Sequence, residues 1–536
     1  MTLSVAPDTL EIPFRTLGVA FADFAERHPD KTAIHSIDQE TSITFADLRT
    51  LTDRVAARML ADGVGRGDRV AILAGECLEK LVLMFAAWRC GASACPFHAE
   101  IAPDHLKSIL RKIDPALVVW RRGDLAGDDL TDTLSCPAHA FTALDETDGY
   151  FAGLPTDTGT LPAPGEEYGP GDEGCIFATS GTTDRPKCVV WDHLGLWLCG
   201  LSTIDFTGMT AHDRLLEYRT FSWLSPQIVT FMPFVSLGLT IVMAEGFSRS
   251  RFMGWVKDHG ITVAAGVPTV INMLLDEPVD FEPDDIASLR VMTASSAPLA
   301  PERWRQFEAH YGICLLQFYG ASEGGWLCGN RHDKFRIGTA GPPARHMDLA
   351  IIDGIGNECP AGTEGEITIR GPQTATASIT ADGNWEDRTS FRLTERTRVG
   401  DLGVLDEDGF VTVTGRIKDV ILRGGASIAP LEIDAALMSH PAVHEAAVIG
   451  IPDRIWGEEI AAFVVRADGA DISSDDILAH AGTLLPEFKR PKIVEFVDAL
   501  PKSDRGKIRR DDLKKLWAER EVRPRRSEAQ QEITPS

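Results

Sequence analysis

The sequence predicts an α/β protein. A large N-terminal unit of parallel-type sheets with helices, ending in a small β-barrel, precedes a small α+β unit. Three observations carry this reading. The 536 residues exceed what one hydrophobic core supports, roughly 250–300 residues. Helix and strand patterns alternate over 44–120 and resume from Cys175 to about Tyr319, as parallel strands covered by helices require. The character then changes twice, at about Gly341 and after Gly415.

In chain order, Phe45, Leu48, Leu51, Val55 and Met59 recur at helical spacing, predicting a helix from Phe45 to Asp62. Gly63–Asp68 reads as a turn, Arg69–Leu73 as a short apolar strand, Leu78–Arg89 as a helix and Ala116–Trp120 as a strand. Residues 121–172, rich in Asp, Gly, Pro and Thr, read as surface loop. Strands follow at Cys175–Ala178, Ile261–Ala265, Val291–Ala294 and Leu315–Phe318. The most apolar window, Ile228–Ala244, is broken by Pro233, Ser236 and Gly238. It suits a core helix followed by a strand, not a membrane span. Short strands with Gly, Asp and Asn turns dominate from Gly341 to Thr414, as in a small β-barrel or antiparallel sheet. Beyond Gly415, Val443–Ile451, Ile460–Val465 and Ile493–Val497 read as strands and Ser474–Leu484 as a helix. The polar tail after Arg526 is expected to fray.

Lys and Arg number 53 against 79 Asp and Glu, a formal charge of −26. That balance excludes general nucleic-acid binding and docking on anionic lipid, both of which need a basic face. Ten cysteines without a C-x-x-C pair exclude a disulfide scaffold and the common zinc arrangements. Cys90 and Cys95 lie in an apolar stretch and read as buried free thiols, which fits a cytoplasmic protein. The N-terminus has no basic start and no apolar run, so it is not read as a signal peptide.

Four segments carry chemistry. Thr179-Ser180-Gly181-Thr182-Thr183-Asp184-Arg185-Pro186-Lys187 follows a strand directly. Hydroxyls and backbone N–H groups can donate to phosphate oxygens there, and Lys187 can offset charge. The segment is not a Walker A loop. Gln317-Phe318-Tyr319-Gly320-Ala321-Ser322-Glu323 ends another strand. At such a position an aromatic ring can stack on a base and a carboxylate can hold Mg²⁺. Asp401, in Arg398–Gly403, precedes Thr414-Gly415-Arg416-Ile417-Lys418-Asp419, and an Asp on a tight turn can accept from two vicinal hydroxyls. Lys507 sits on a Gly-bearing basic loop near the C-terminus. Taken singly, each segment is also compatible with ordinary loop or turn chemistry.

Together, in this order and spacing, they resemble the adenylate-forming superfamily, which comprises acyl-CoA synthetases, adenylation domains of peptide synthetases and luciferases. The resemblance runs from about Phe45 to Leu513. It implies an ATP- and acid-binding domain, 1–416, and a mobile C-terminal domain, 417–536. It also implies a role for each matching residue. Thr179, Ser180, Gly181, Thr182, Thr183 and Lys187 match the phosphate-binding loop. Ser295, Ser296, Ala297 and Pro298 match the adenine-pocket segment. Tyr319 matches the aromatic that stacks on adenine, with Gly320 and Ala321 beside it. Ser322 stands where Thr is usual, by the α-phosphate, and Glu323 matches the Mg²⁺ carboxylate. Asp401 matches the ribose acceptor, Arg416 the arginine near ribose and phosphate, and Lys418 the hinge. Lys507 matches the lysine that bridges substrate carboxylate and α-phosphate. Gly424 and Gly425 match the loop that approaches the thiol tunnel. Arg219, Ser222, Trp223, Gln227, Val267, Thr269 and Gly325 are the expected acyl pocket.

Two departures stand out. Asp184 and Cys188 occupy positions that are usually Gly, and Asp184 adds a like charge near triphosphate. Ser222 stands in place of a His common to the family, next to Trp223, which implies a reshaped pocket. Arg219 faces either a polar substrate end or a buried carboxylate. The expected function is an acid–thiol ligase using ATP, Mg²⁺ and coenzyme A. The alternative is a free-standing adenylation enzyme that loads a carrier-protein thiol. Residues 218–227 contain no acid, which counts against amino acids as substrates. The expected partners are small molecules, with no nucleic acid, no membrane span and a homodimer entertained as the assembly.

Overall fold

The computed structural model describes residues 12–98, 101–124, 134–179, 187–380, 382–389, 392–502 and 507–529. Among them no helix is long and apolar enough to cross a membrane.

Two eight-stranded sheets dominate. In spatial order the first runs Gly325–Gly329, Cys314–Ala321, Val291–Ala294, Val263–Ala264, Arg214–Glu217, Thr240–Met243, Thr32–Ser36 and Thr41–Thr44. Its six inner strands are mutually parallel and its two outer ones antiparallel. The second runs Trp385–Asp387, Ala377–Ile379, Lys187–Asp192, Glu173–Thr179, Ser93–Phe97, Arg69–Leu73, Leu117–Arg121 and Ala138–Phe141. Its last five strands are parallel. Runs such as Val70-Ala71-Ile72-Leu73, buried on both faces, are what helix-covered parallel sheet demands.

The predicted helix at Phe45 forms from Phe45 to Ala61, with the Thr44 hydroxyl accepting from the Asp47 N–H as its N-cap. Leu78–Arg89 is a helix with all twelve residues buried, Glu79 and Lys80 included. The apolar window resolves into a π-helical turn, Gln227–Phe231, then the helix Met232–Leu237 and the strand Thr240–Met243. Cys90 and Cys95 are buried, and burial pushes the Cys90 thiol up to about 12.

One expectation needs correction. Residues 121–172 are not surface loop throughout. Ala138–Phe141 pairs parallel with Leu117–Arg121, and Tyr150, Phe151, Leu154 and Tyr168 are core residues. Polar composition masked a few large apolar anchors. The helix Arg510–Ala529 runs three residues past Arg526, and the rest of the tail expected to fray lies outside the described residues.

From Gly341 onward, Asp348–Ile352, Gly365–Arg370, Thr397–Leu405 and Val411–Arg416 form a four-stranded antiparallel sheet. Later residues build a fourth sheet, Ala426–Ile428, Ile421–Arg423, Gly457–Arg466 and Val443–Asp453, with Ile493–Phe496 parallel to Gly457–Arg466. Separate apolar clusters cover its two faces.

A buried ion pair joins this last unit together. The Arg510 guanidinium contacts the Asp434 carboxylate and donates to the Val448 carbonyl at 3.2 Å. The Val448 N–H donates to Asp434 at 2.8 Å. Burial raises the Asp434 carboxyl to about 6, against the pull of Arg510. A raised folded pKa means this group's stabilisation is full below its unfolded value and is lost as pH rises through about 6. Arg510→Met, which leaves the carboxylate buried and unpaired, is expected to cost about 3–5 kcal/mol at neutral pH. The loss should shrink at pH 5, where the carboxyl takes a proton. Urea titrations of the wild type and of Arg510→Met at the two pH values check this.

Candidate active site

Four parallel strands of the first sheet share one carboxyl edge, where open α/β sheets bind ligands. After Arg214–Glu217 comes 218–222, after Val263–Ala264 comes 265–269, and after Val291–Ala294 comes Ser295–Pro298. Cys314–Ala321 leads into Ser322 and Glu323. The predicted nucleotide and acid segments are therefore neighbours because of strand order alone.

Tyr319, Asp401 and Arg416 are brought together. The Tyr319 hydroxyl donates to Asp401 Oδ2, and Arg416 Nε lies 3.2 Å from Asp401 Oδ1. Asp401 and Arg416 face each other across two antiparallel strands, which fixes the pair by register. Burial and the Asp401 charge hold the Tyr319 phenol well above its ordinary range, so it remains a donor. Ser296 adopts φ +74°, a left-handed conformation uncommon for a serine and frequent at functional sites. Ala297 and Pro298 follow it in the same loop.

Backbone bonds anchor the next segment. The Trp191 indole N–H donates to the Ser322 carbonyl at 3.2 Å, and the Ala375 N–H to the Glu323 carbonyl at 2.9 Å. The Glu323 carboxylate itself has no hydrogen bond or ion pair among the described residues. Gly320 continues the strand beside Tyr319, and a Cβ on it would lie 2.3 Å from the Gly325 carbonyl oxygen. Gly325 has φ +62°, and a Cβ there would lie 2.3 Å from Cys199 Sγ, so only glycine fits. Val267 caps the helix Pro268–Asp276, in which Thr269 lies, both half-buried.

The guanidinium of Arg219 is committed to protein. It pairs with Glu217, Nε–Oε1 2.8 Å and Nη2–Oε2 2.7 Å, and reaches Ser225 Oγ at 2.9 Å and Ser295 Oγ at 3.5 Å. Of the two expectations for this residue, the geometry has the buried ion pair. Arg219→Ala would strand Glu217, 1% exposed, and is expected to cost about 3–5 kcal/mol of stability. The ranking of acids by the folded variant should not change. Thermal melts alongside an acid panel check both.

A second polar cluster escaped sequence reasoning. Lys80 Nζ donates to Ala74 O at 3.0 Å, Glu76 Oε1 at 2.5 Å and Ser222 Oγ at 2.9 Å. Glu76 also accepts from Thr220 Oγ1 at 2.5 Å and the Phe221 N–H at 3.0 Å. The Gln227 amide donates to the Phe221 carbonyl and lies 3.9 Å from Met84 Sδ. The absence of an acid from 218–227 therefore does not describe the surroundings. Two carboxylates, Glu76 and Glu217, enter from outside that window, both already paired. The available signal was the pair of charges Glu79 and Lys80 opening a helix that is otherwise apolar up to Arg89.

Thr179 and Lys187 form the last pair of an antiparallel ladder, so they bracket the phosphate-loop segment. Ser180, Gly181, Thr182, Thr183 and Asp184 lie outside the described residues. Cys188 is buried, one residue into the strand that Lys187 opens. Lys418 sits exposed in a 3₁₀ turn, Ile417–Asp419, 4.0 Å from Asp511. Gly424 and Gly425 have φ +58° and +84°, as a two-glycine hairpin turn needs, and the Gly424 N–H donates to the Trp456 carbonyl at 2.8 Å. Lys507 lies just before Ile508, which bridges to Lys502, ahead of the last helix. Trp223 precedes the short helical turn that leads into Gln227.

Residues 21–377 match the family "AMP-binding enzyme", and residues 432–507 match "AMP-binding enzyme C-terminal domain". A sulfoacetate–CoA ligase of Cupriavidus necator is 31% identical over 93% of this chain and 97% of its own. An indoleacetate–CoA ligase of Aromatoleum aromaticum is 30% identical over 93% and 98%. The crystal structure of ATP-bound MatB from Rhodopseudomonas palustris superposes with a TM-score of 0.84, at 28% identity over 93% of this chain and 99% of that one. The chain belongs to the AMP-binding enzyme family, within the adenylate-forming superfamily. It is an ATP-dependent, AMP-forming carboxylate–CoA ligase, with ATP and coenzyme A as co-substrates.

Proposed function

We propose that the ligase reaction runs through the residues assembled at this carboxyl edge, with the chain divided into an ATP- and acid-binding domain, 1–416, and a mobile domain, 417–536. The observation that carries the reading is the Tyr319–Asp401–Arg416 cluster, whose Tyr319 lies on the strand that leads into Glu323, a carboxylate with no partner among the described residues. Asp401 keeps lone pairs for a ribose diol while Tyr319 and Arg416 hold it in place. Tyr319 then offers its ring face to adenine, between the strand edge and the Ser295–Pro298 loop. Thr179, the segment 180–183 and Lys187 take the phosphates.

Glu323 fits Mg²⁺. A half-buried carboxylate with no side-chain partner among the described residues suits an ion that keeps water and phosphate oxygens as its other ligands. Among the described residues no three His, Cys, Asp or Glu side chains gather as a closed metal cage. Bound there, the ion supplies positive charge against the phosphates.

In the first step an acid carboxylate oxygen attacks the α-phosphorus and pyrophosphate leaves. Two anions must meet, so Lys507 offsets their repulsion and Ser322 donates to the oxygens. In the second step the coenzyme A thiol, losing its proton, attacks the acyl carbonyl and AMP leaves. Rotation about Lys418 withdraws Lys507 and brings Gly424-Gly425 toward the thiol. The acid is held among Val267, Thr269, Gly325, Ser222, Trp223 and Gln227. Ten free cysteines support a reducing, cytoplasmic setting. The test is a panel of carboxylic acids assayed for pyrophosphate release with and without coenzyme A. Thioester should form in proportion to AMP. An acyl-adenylate that persists with coenzyme A present and clears only with a carrier protein would overturn the choice of thiol.

A further inference from the structure

The second polar cluster joins the two large sheets. Ala74 and Glu76 leave the carboxyl end of the Arg69–Leu73 strand, and Thr220 and Ser222 leave the carboxyl end of Arg214–Glu217. Lys80 ties them across 142 residues of sequence. All four side chains are nearly buried, Lys80 completely. The two charges cancel, and each oxygen of Glu76 is occupied.

One group is left over. Ser222 Oγ accepts from the Lys80 ammonium, and its own proton meets no acceptor among the described residues. A hydroxyl that accepts from a cation becomes a stronger donor, because the cation withdraws electron density from the oxygen. One helical turn along from Lys80, Met84 contacts the Gln227 amide, whose Oε1 is buried with no partner. Placed in the acid pocket as proposed above, Ser222 presents a hydroxyl donor backed by a cation, where an apolar wall would suit an alkyl chain.

We propose that Lys80 and Ser222 are specificity-determining residues that select acids whose end remote from the reacting carboxylate bears a hydrogen-bond-accepting oxygen. Ser222 donates to that oxygen, and Lys80, held by Glu76, orients the Ser222 proton. The proposal rests on the acid pocket as placed above. An alkyl-tipped acid of the same shape leaves the Ser222 donor desolvated and unmatched. Sites built to hydrogen-bond a substrate reject the analogue that lacks the partner far more strongly than apolar pockets separate homologues.

The test compares levulinate and succinate with isocaproate, which has a similar shape and no oxygen at its remote end. Coenzyme A-dependent pyrophosphate release gives kcat/KM for each. At least one oxygen-tipped acid should exceed isocaproate by about tenfold or more. Ser222→Ala should bring the ratio close to one. The charge-balanced double variant Glu76→Gln, Lys80→Met should reduce it as well, without stranding a buried charge. Because the readout is a ratio on one enzyme, partial loss of folded protein does not move it. Preference for isocaproate, or a ratio unchanged in Ser222→Ala, overturns the proposal and leaves the ligase reading intact. Pyrophosphate release with none of the three acids, nor with any of the wider panel, overturns both.

Discussion

Lys507→Ala is expected to lower acid-dependent pyrophosphate exchange by about 10²–10³, the usual effect of removing one preorganised charge from a transition state that brings anions together. Thioester formation from presynthesised acyl-adenylate should survive nearly intact. In the proposed division the lysine belongs to the 417–536 unit and would serve only while that unit presents it to the α-phosphate. Lys418→Pro should give the opposite split. Lys418 sits in a short exposed 3₁₀ turn between Val411–Arg416 and Ile421–Arg423, and proline would fix its φ. Adenylation would persist and thioester formation would fail. Rapid-quench measurement of the two half-reactions separates these outcomes. Equal loss of both steps in both variants would contradict the two-orientation mechanism.

Asp401→Ala is expected to damage both half-reactions, because ATP and acyl-adenylate carry the same ribose. The substitution also removes the acceptor of the half-buried Tyr319 hydroxyl and the partner of Arg416. Hydrogen bonds to charged groups contribute about 1.5–3 kcal/mol each, so kcat/KM for ATP should fall at least roughly tenfold to a hundredfold. Asp401→Asn keeps one acceptor oxygen and should fall between wild type and Ala. Titration with a fluorescent ATP analogue checks the binding part. Unchanged nucleotide affinity in Asp401→Ala would remove the carboxylate from the ribose site.

Elements with a strong local period were legible in the sequence. Phe45–Ala61 and Leu78–Arg89 were readable because apolar spacing and turn residues mark helices locally. Val291–Ala294 was readable as an apolar run between breakers. The Ala138–Phe141 strand was not, since it pairs at a sheet edge within a polar segment and shows little alternation. In the site, Tyr319, Asp401 and Arg416 were legible because each lies in a motif of fixed local shape. Glu76 and Lys80 were not. Their meeting with Thr220 and Ser222 joins chain segments of two different sheets, and beyond charges inside an apolar helix no local pattern records that. Arg219 illustrates the middle case: the sequence marked it as special but left its partner open, and the partner is two residues away.

The cluster between the two sheets has a consequence for how this enzyme can diversify. The proposed nucleotide site is built on loops, whereas Lys80, Glu76, Thr220 and Ser222 join the two sheets themselves. Loss of Lys80, which under the proposal above would change the polarity of the acid pocket, would also strand a buried carboxylate and loosen the joint between sheets. Acid preference should therefore drift through compensated pairs, with positions 76 and 80 changing together. New substrate ranges in relatives would then arise at the expense of thermal tolerance before they touch catalysis. Lineages with stability in reserve would be the ones able to explore them.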